Sequence, residues 1–154
     1  MADIREVYEI WSNIDFDTLV DESIKENEPE IIDAQVDQMK HGLNADGSLI
    51  GQYATTPGGE PSEYAKAKNA QNSLPGLGNV DLILTGDFSE NIILKYDKTF
   101  IQPISTDEKN EKLTTGNQGY GANVFGLMKE KLAELVQNSI LPTFLKRFRI
   151  AAKV

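Results

Sequence analysis

The stretch Val80-Asp-Leu-Ile-Leu-Thr-Gly-Asp-Phe-Ser-Glu-Asn-Ile92 constrains the fold more than any other, because its pattern changes abruptly at Thr85-Gly86. Up to that point the apolar residues follow one another as in a buried strand. Beyond it Asp87, Ser89, Glu90 and Asn91 interrupt them before Ile92, Ile93 and Leu94 resume. Glycine reaches backbone angles closed to other residues and threonine bonds its own backbone nearby, so the segment reads as strand, tight break and re-entry without any catalytic group. Strands are expected near 80-85, 91-97 and 99-105, with Asp97-Lys98 turning the hairpin between the last two. The expected fold class is α+β: a small antiparallel β-sheet packed with N-terminal helices and a long C-terminal helix.

The helices announce themselves by spacing and by caps. Ile4, Val7, Tyr8 and Trp11 recur at helical intervals after a capping Asp3, giving a short first helix with one sticky face. A second helix starts near Asp15 or Asp17, carries Leu19, Val20 and Ile24, and is interrupted at Asn27-Glu-Pro29. Pro29 suits the first turn of a third helix. There Ile32, Val36 and Met39 form a narrow stripe amid Glu30, Asp33, Asp37 and Gln38, read as an acidic exterior, and the helix ends at His41-Gly42. Asn44 to Ser48 is a turn, Leu49 to Tyr53 a short strand or extended arm, and Thr55 to Pro61 a loop. Ser62 caps an Ala- and Lys-rich helix to Gln71, which Leu74-Pro-Gly-Leu-Gly78 breaks. Asp107 to Leu113 reads as a short surface helix and Thr114 to Gly121 as a Gly-rich loop. From Phe125 through Leu127, Met128, Leu132, Leu135, Val136 and Ile140 to Leu141 the spacing predicts a final amphipathic helix, which Pro142 ends or kinks.

At 154 residues the default is one domain over 1-154, with an acidic helical region at 1-42, loops and a β-meander at 43-121, and a C-terminal helix and basic tail at 122-154. No apolar run approaches the roughly 18 residues that span a bilayer, and the first residues lack the order of a signal peptide, so the expectation is a protein retained inside a cell without a membrane partner. The absence of cysteine removes disulfides, thiolate metal sites and cysteine nucleophiles together. The net charge of -9 is unevenly placed: residues 1-39 hold twelve acids against Arg5 and Lys25, a local charge of -10, whereas 142-154 hold Lys146, Arg147, Arg149 and Lys153 with no acid. Either these are solvated helix faces, or one end of the chain docks on the opposite charge of a neighbour.

Residues able to carry chemistry are few. His41 is the sole histidine and has no identifiable orienting partner, which reads as a helix-end residue. Asn44, Asp46 and Ser48 imitate the start of a calcium loop, but the glycine falls at the fourth position and Thr55 stands at the twelfth. Gly76-Leu-Gly78 precedes a strand where a phosphate cradle would follow one. No catalytic residue, metal or cofactor is therefore expected, and the chain reads as a non-enzyme. The balance of charge also opposes binding to nucleic acid. The residues best placed to touch a partner are Tyr8 and Trp11 on the first helix, and Phe144, Lys146, Arg147, Phe148, Arg149 and Lys153 at the end. There Phe144, Leu145, Phe148 and Ile150 either close the core or reach a neighbour.

Four segments stand in a telling order: Gln38-Met-Lys-His-Gly-Leu-Asn-Ala-Asp-Gly-Ser-Leu-Ile-Gly-Gln-Tyr53, a Lys-containing helix at Tyr64 to Lys68, Asp81-Leu-Ile-Leu-Thr-Gly-Asp-Phe88, and Gly119-Tyr-Gly-Ala-Asn-Val-Phe-Gly-Leu127 leading into the last helix. Over roughly residues 35 to 150 this order resembles the virion morphogenesis or tail-completion (head–tail joining) proteins of tailed bacteriophages, of the type found in phages of Bacteroidetes. The resemblance implies a structural virion protein of the neck or tail, assembled in the bacterial host cytoplasm. It further implies a homo-oligomeric ring that meets portal, adaptor or tail proteins while DNA passes nearby without sequence-specific contact. The acidic N-terminal region alone would equally suit a small inhibitor or immunity-type protein covering a basic partner surface.

Overall fold

The computed structural model describes residues 3–83, 87–96, 100–115 and 119–153. The Thr85-Gly86 break and the Asp97-Lys98 turn lie outside the described residues. The fold is α+β: a two-stranded antiparallel sheet accompanied by helices, the last of them long. Two compact units make it up, one of Met1–Ile31 with Leu132–Val154, the other of Ile32–Lys131.

The first unit is helical. Helix α1 (Ile4–Ser12) begins with a full capping box, in which the Asp3 carboxylate accepts from the backbone while Glu6 returns the bond to the Asp3 N–H. Helix α2 (Phe16–Glu26) is capped by Asp15, whose carboxylate accepts from the Thr18 N–H at 3.0 Å and its hydroxyl at 2.8 Å. Those two bonds hold the Asp15 carboxyl below its ordinary value. Helix α3 (Glu28–Lys40) follows at once, with Pro29 in its first turn where no N–H is missed. At the other end of the chain, α7 (Lys129–Leu135) passes through a π-helical turn (Val136–Ile140) into α8 (Leu141–Ala152). Pro142 thus neither ends the helix nor sits in an ordinary turn of it. Its ring has no N–H to donate and crowds the carbonyl four residues back, and the Leu141 N–H bonds instead to the Val136 carbonyl, five residues back. Within this unit α2 packs on α8, where Asn27 Nδ2 reaches Thr143 Oγ1 at 3.1 Å.

The second unit holds the main core: Met39, Ile50, Val80, Leu82, Phe88, Ile92, Val124 and Phe125, flanked by Ile32, Val36, Tyr53, Ile83, Leu113 and Tyr120. Helix α3 ends in a Schellman motif, with Leu43 N–H on the Gln38 carbonyl and Gly42 N–H on the Met39 carbonyl. Gly42 has φ +70° and a Cβ there would stand 2.6 Å from the Val80 carbonyl oxygen, so both the turn and the close approach need glycine. The chain then returns through bridges Leu43 to Leu49, Gln52 to Asn79 and Thr55 to Pro61 before α4 (Glu63–Gln71), capped by Ser62. A one-turn helix α5 (Asp87–Glu90) leads into β1 (Ile92–Tyr96), which pairs with β2 (Ile101–Ser105) in the register Ile92 with Ser105 and Tyr96 with Ile101. Helix α6 (Asn110–Thr114) and a 3₁₀ turn (Ala122–Val124) complete the unit.

Two expectations need correcting. The strand near 80-85 does not form over its described part. Val80, Asp81 and Leu82 are buried in succession as expected, but the backbone there is spent on the 50–53 arm, with Val80 N–H on the Gly51 carbonyl at 3.0 Å. Among the described residues the sheet therefore has two strands, not three. The final helix starts at Lys129 instead of Phe125, because the segment before it is claimed by two glutamines.

Gln35 and Gln38 lie three residues apart on α3, 0% and 3% exposed. Gln35 Nε2 donates to the Val124 carbonyl at 3.0 Å while its Oε1 accepts from the Gly126 N–H at 2.8 Å. Gln38 repeats the pattern one step on, donating to the Gly126 carbonyl at 2.9 Å and accepting from the Met128 N–H at 2.8 Å. The two amides act as a short artificial strand against the edge of residues 124–128. Gln38 is thus interior, contrary to its reading as part of the acidic exterior of α3. Replacing Gln35 by Leu leaves the Val124 carbonyl and the Gly126 N–H without partners, at about 1–3 kcal/mol for each buried group. Urea denaturation should show that loss, whereas Asp33→Asn on the exposed face of α3 should stay within about 0.5 kcal/mol of the parent; equal effects would mean the amide pairing contributes nothing.

Candidate interaction surface

The partner residues expected from sequence all fall in the first unit, and the structure gathers most of them. Phe148 on α8 is the hub. Its ring meets Trp11 edge-on at 5.9 Å, stacks on Phe16 at 5.9 Å, and lies parallel to Phe144 at 6.3 Å. Such ring pairs add about 0.5–1.5 kcal/mol each beyond the area they bury. The C-terminal aromatic stripe therefore closes an intramolecular cluster. Phe16 belongs to it as well, a residue that helical periodicity had not singled out because it is the first residue of α2.

Arg147 is consumed in the same way. Its guanidinium spans two acids one turn apart on α2, with Nη1 at 2.5 Å from Glu22 and Nη2 at 2.8 Å from Glu26, while Nε adds a bond to Glu26 at 3.2 Å. Planar forked donors suit that task better than an ammonium would. The attraction between the basic end and the acidic beginning of the chain is thus partly satisfied within one molecule. Lys146, Arg149 and Lys153 remain exposed on or just beyond α8, and Tyr8 stands 72% exposed on α1. Lys153, in the left-handed conformation with φ +56°, borders an open hollow of about 490 Å³ with Glu6, Glu9, Ile10 and Asn13.

Helix α1 is the unusual element. It carries the strongly one-sided pattern of a core helix yet buries none of its residues, leaving Ile4 81% and Trp11 49% exposed. Ile150 on α8 is 71% exposed as well. An apolar face of this kind is what a subunit contact is made of.

The second unit holds the histidine and the calcium-like triplet noted in the sequence, and His41 and Asp46 are both spent locally. His41 Nδ1 donates to the Asp37 carbonyl at 2.8 Å, one turn back, with the Asp37 carboxylate 3.8 Å away. Asp46 accepts from the Ser48 N–H at 2.9 Å and its hydroxyl at 2.6 Å, and that pair of bonds holds the carboxyl below its ordinary value, so the calcium-like triplet is a turn. Among the described residues no three His, Asp or Glu side chains converge as metal ligands would. No helix among them is long and apolar enough to cross a membrane.

One buried charged cluster escaped the sequence reading. Lys68 on α4 and Asp81 form an ion pair with side chains 4% and 2% exposed. Asn72 Nδ2 donates to Asp81 Oδ2 at 2.7 Å and to the Lys40 carbonyl at 2.8 Å, and the Tyr53 hydroxyl donates to the Asp81 carbonyl at 3.2 Å. Burial first, and the Asp81 charge second, push the Tyr53 phenol above its ordinary value. The available signal was a lone acid inside the apolar run Val80-Asp-Leu-Ile83.

Phe148→Ala removes three ring contacts of a half-buried side chain and should cost about 2–4 kcal/mol in unfolding free energy. Arg147→Ala removes partly exposed ion pairs worth about 1 kcal/mol or less, a loss that shrinks further at high salt. Thermal melts at two ionic strengths check both, and a larger effect of Arg147 than of Phe148 would reverse this ranking. No family model, no curated protein and no solved structure matches the chain.

Proposed function

We propose that this chain is a structural protein of a tailed-phage particle, a ring subunit of the neck or tail that serves in tail completion or head–tail connection. The observation that carries the reading is α1: a capped, one-sided helix with no buried residue, with Ile4 and Tyr8 turned to solvent and Trp11 half exposed beside Phe148. A helix of nine residues is marginal by itself, and an apolar face kept outside the molecule's own core fits a subunit whose packing is completed by a neighbour. The ordered set of four segments from Gln38 to Leu127 adds the phage character through its resemblance. The acidity of residues 1–39 fits the same role, since a negative wall beside a DNA passage repels the phosphate backbone and keeps the polymer sliding. Its partners are then further copies of itself together with portal, adaptor or tail proteins.

The same acidity supports a second reading, a small inhibitor covering a basic enzyme. The two readings differ in stoichiometry. As a ring subunit the chain should be found by quantitative mass spectrometry in purified particles at a fixed multiple of the portal ring. Ile4→Asp and Tyr8→Asp, both at exposed positions, should leave the circular dichroism spectrum unchanged and prevent incorporation. A one-to-one complex with a basic enzyme, and absence from particles, would replace the virion reading with the inhibitor.

A further inference from the structure

We propose that Lys68 and Asp81 become joined by an intramolecular amide, an isopeptide bond that the protein forms from its own ion pair. The inference uses only the second unit and rests on no reading of what the chain does.

The starting point is what holds α4. Its sequence, Glu-Tyr-Ala-Lys-Ala-Lys-Asn-Ala-Gln, has no apolar face, and its buried residues are Ala65 and Lys68. Tyr64 is half exposed and Lys66 pairs with Glu63 at 2.8 Å on the surface. The helix is held by the small buried Ala65, by the Tyr64 ring edge-on to Tyr53 at 5.2 Å, and by two polar anchors, Lys68 and the C-terminal cap Asn72. A buried ion pair is a weak anchor, because the cost of taking both charges out of water roughly cancels their attraction. A covalent bond between the same two groups has no such weakness.

The surroundings favour the conversion. The Lys68 amine touches the Asp81 carboxylate, and with side chains 4% and 2% exposed the pair is nearly dry. The reaction begins when a proton passes from Nζ to Oδ1 of Asp81 and frees the nitrogen lone pair, a transfer that removes two charges from a dry site. Nζ then adds to Cγ of Asp81. The oxygen charge that develops is met by Asn72 Nδ2, 2.7 Å from Oδ2 and held in place by its second bond to the Lys40 carbonyl. That addition forms the C–N bond; a second proton then passes from Nζ to Oδ1, and collapse restores the carbonyl at Oδ2, breaks the bond from Cγ to Oδ1 and releases that oxygen as water. Nothing is oxidised or reduced. Two reactants fixed in contact replace a bimolecular encounter, and exclusion of water afterwards protects the amide from hydrolysis.

The test is the intact mass of the denatured protein, compared with that of Lys68→Arg. Arginine keeps a cation at the site but stays protonated and cannot acylate. The amide predicts that the two masses differ by the Lys-to-Arg change plus one water, and that a tryptic digest of the wild type lacks cleavage after Lys68 and contains a branched peptide joining Lys68 to Asp81. Should the Arg variant fail to fold, the wild-type digest decides alone. Ordinary cleavage after Lys68 and the full sequence mass would overturn the proposal. So would the loss of one ammonia with Lys68 attached to Asn72, which would make Asp81 the proton carrier and not the acceptor.

Discussion

Two side-chain amides determine how the larger unit is built. A segment outside any helix or strand has little reason of its own to hold one shape, yet residues 124–128 deliver Val124 and Phe125 to the centre of the core. Gln35 and Gln38 make this possible by matching donors to acceptors at every second backbone position, as a neighbouring strand would. Gly126, at φ +112°, gives the segment the conformation that presents its N–H and carbonyl to the two amides. Without that pairing the buried backbone of the segment would have to find water, and Phe125 could not stay beside Phe88, whose ring lies 5.8 Å away. The apolar core thus depends on a polar device at its edge.

How much was legible in the sequence follows from the range of each interaction. The starts of α1, α2 and α4 were readable because Asp3, Asp15 and Ser62 cap their own helices within three residues, and the end of α3 because Gly42 is required locally. The hairpin strands were readable from their alternation, with Ile92 and Leu94 inward and Ile93 and Lys95 outward. The glutamine clamp was not, since Gln38 reaches partners about ninety residues away and a glutamine on a helix otherwise reads as exterior. The same distance effect misplaced the start of the last helix: Phe125, Leu127 and Met128 have helical spacing, but the backbone groups of Val124, Gly126 and Met128 are already committed to Gln35 and Gln38 of α3. Val80 to Ile83 failed as a strand for a related reason, because its partner is the 50–53 arm.

The candidate surface shows the same split between local and distant information. Sequence identified the aromatic and basic residues at the C-terminal end but left open whether they turn inward or outward. The structure divides them by position: Phe148 and Arg147 face the N-terminal helices, with Phe144 stacked on Phe148, whereas Lys146, Arg149 and Ile150 lie outward. Arg147 removes much of the repulsion between Glu22 and Glu26, so α2 tolerates acids that would otherwise oppose each other at adjacent turns. Since both partners come from one chain, this attraction is independent of protein concentration, while any contact made by the outward cations must compete with salt.

The first helix stands at the opposite pole from the glutamine clamp. Its ends are well made, with a capping box at Asp3 and the Asn13 side chain bonded to the Glu9 carbonyl at 2.7 Å. Capping satisfies a helix end but supplies only about 1 kcal/mol, and α1 has the Trp11 ring on Phe148 as its principal link to the rest of the first unit. Burial, not capping, supplies most of the stability of a helix in a protein. The element with the most pronounced apolar face thus buries no residue of its own, and it opens at lower free energy than a helix such as α3, whose glutamines and core residues must all be released together. A partner that covered Ile4, Tyr8 and Trp11 would gain the burial energy that folding of the single chain leaves unused.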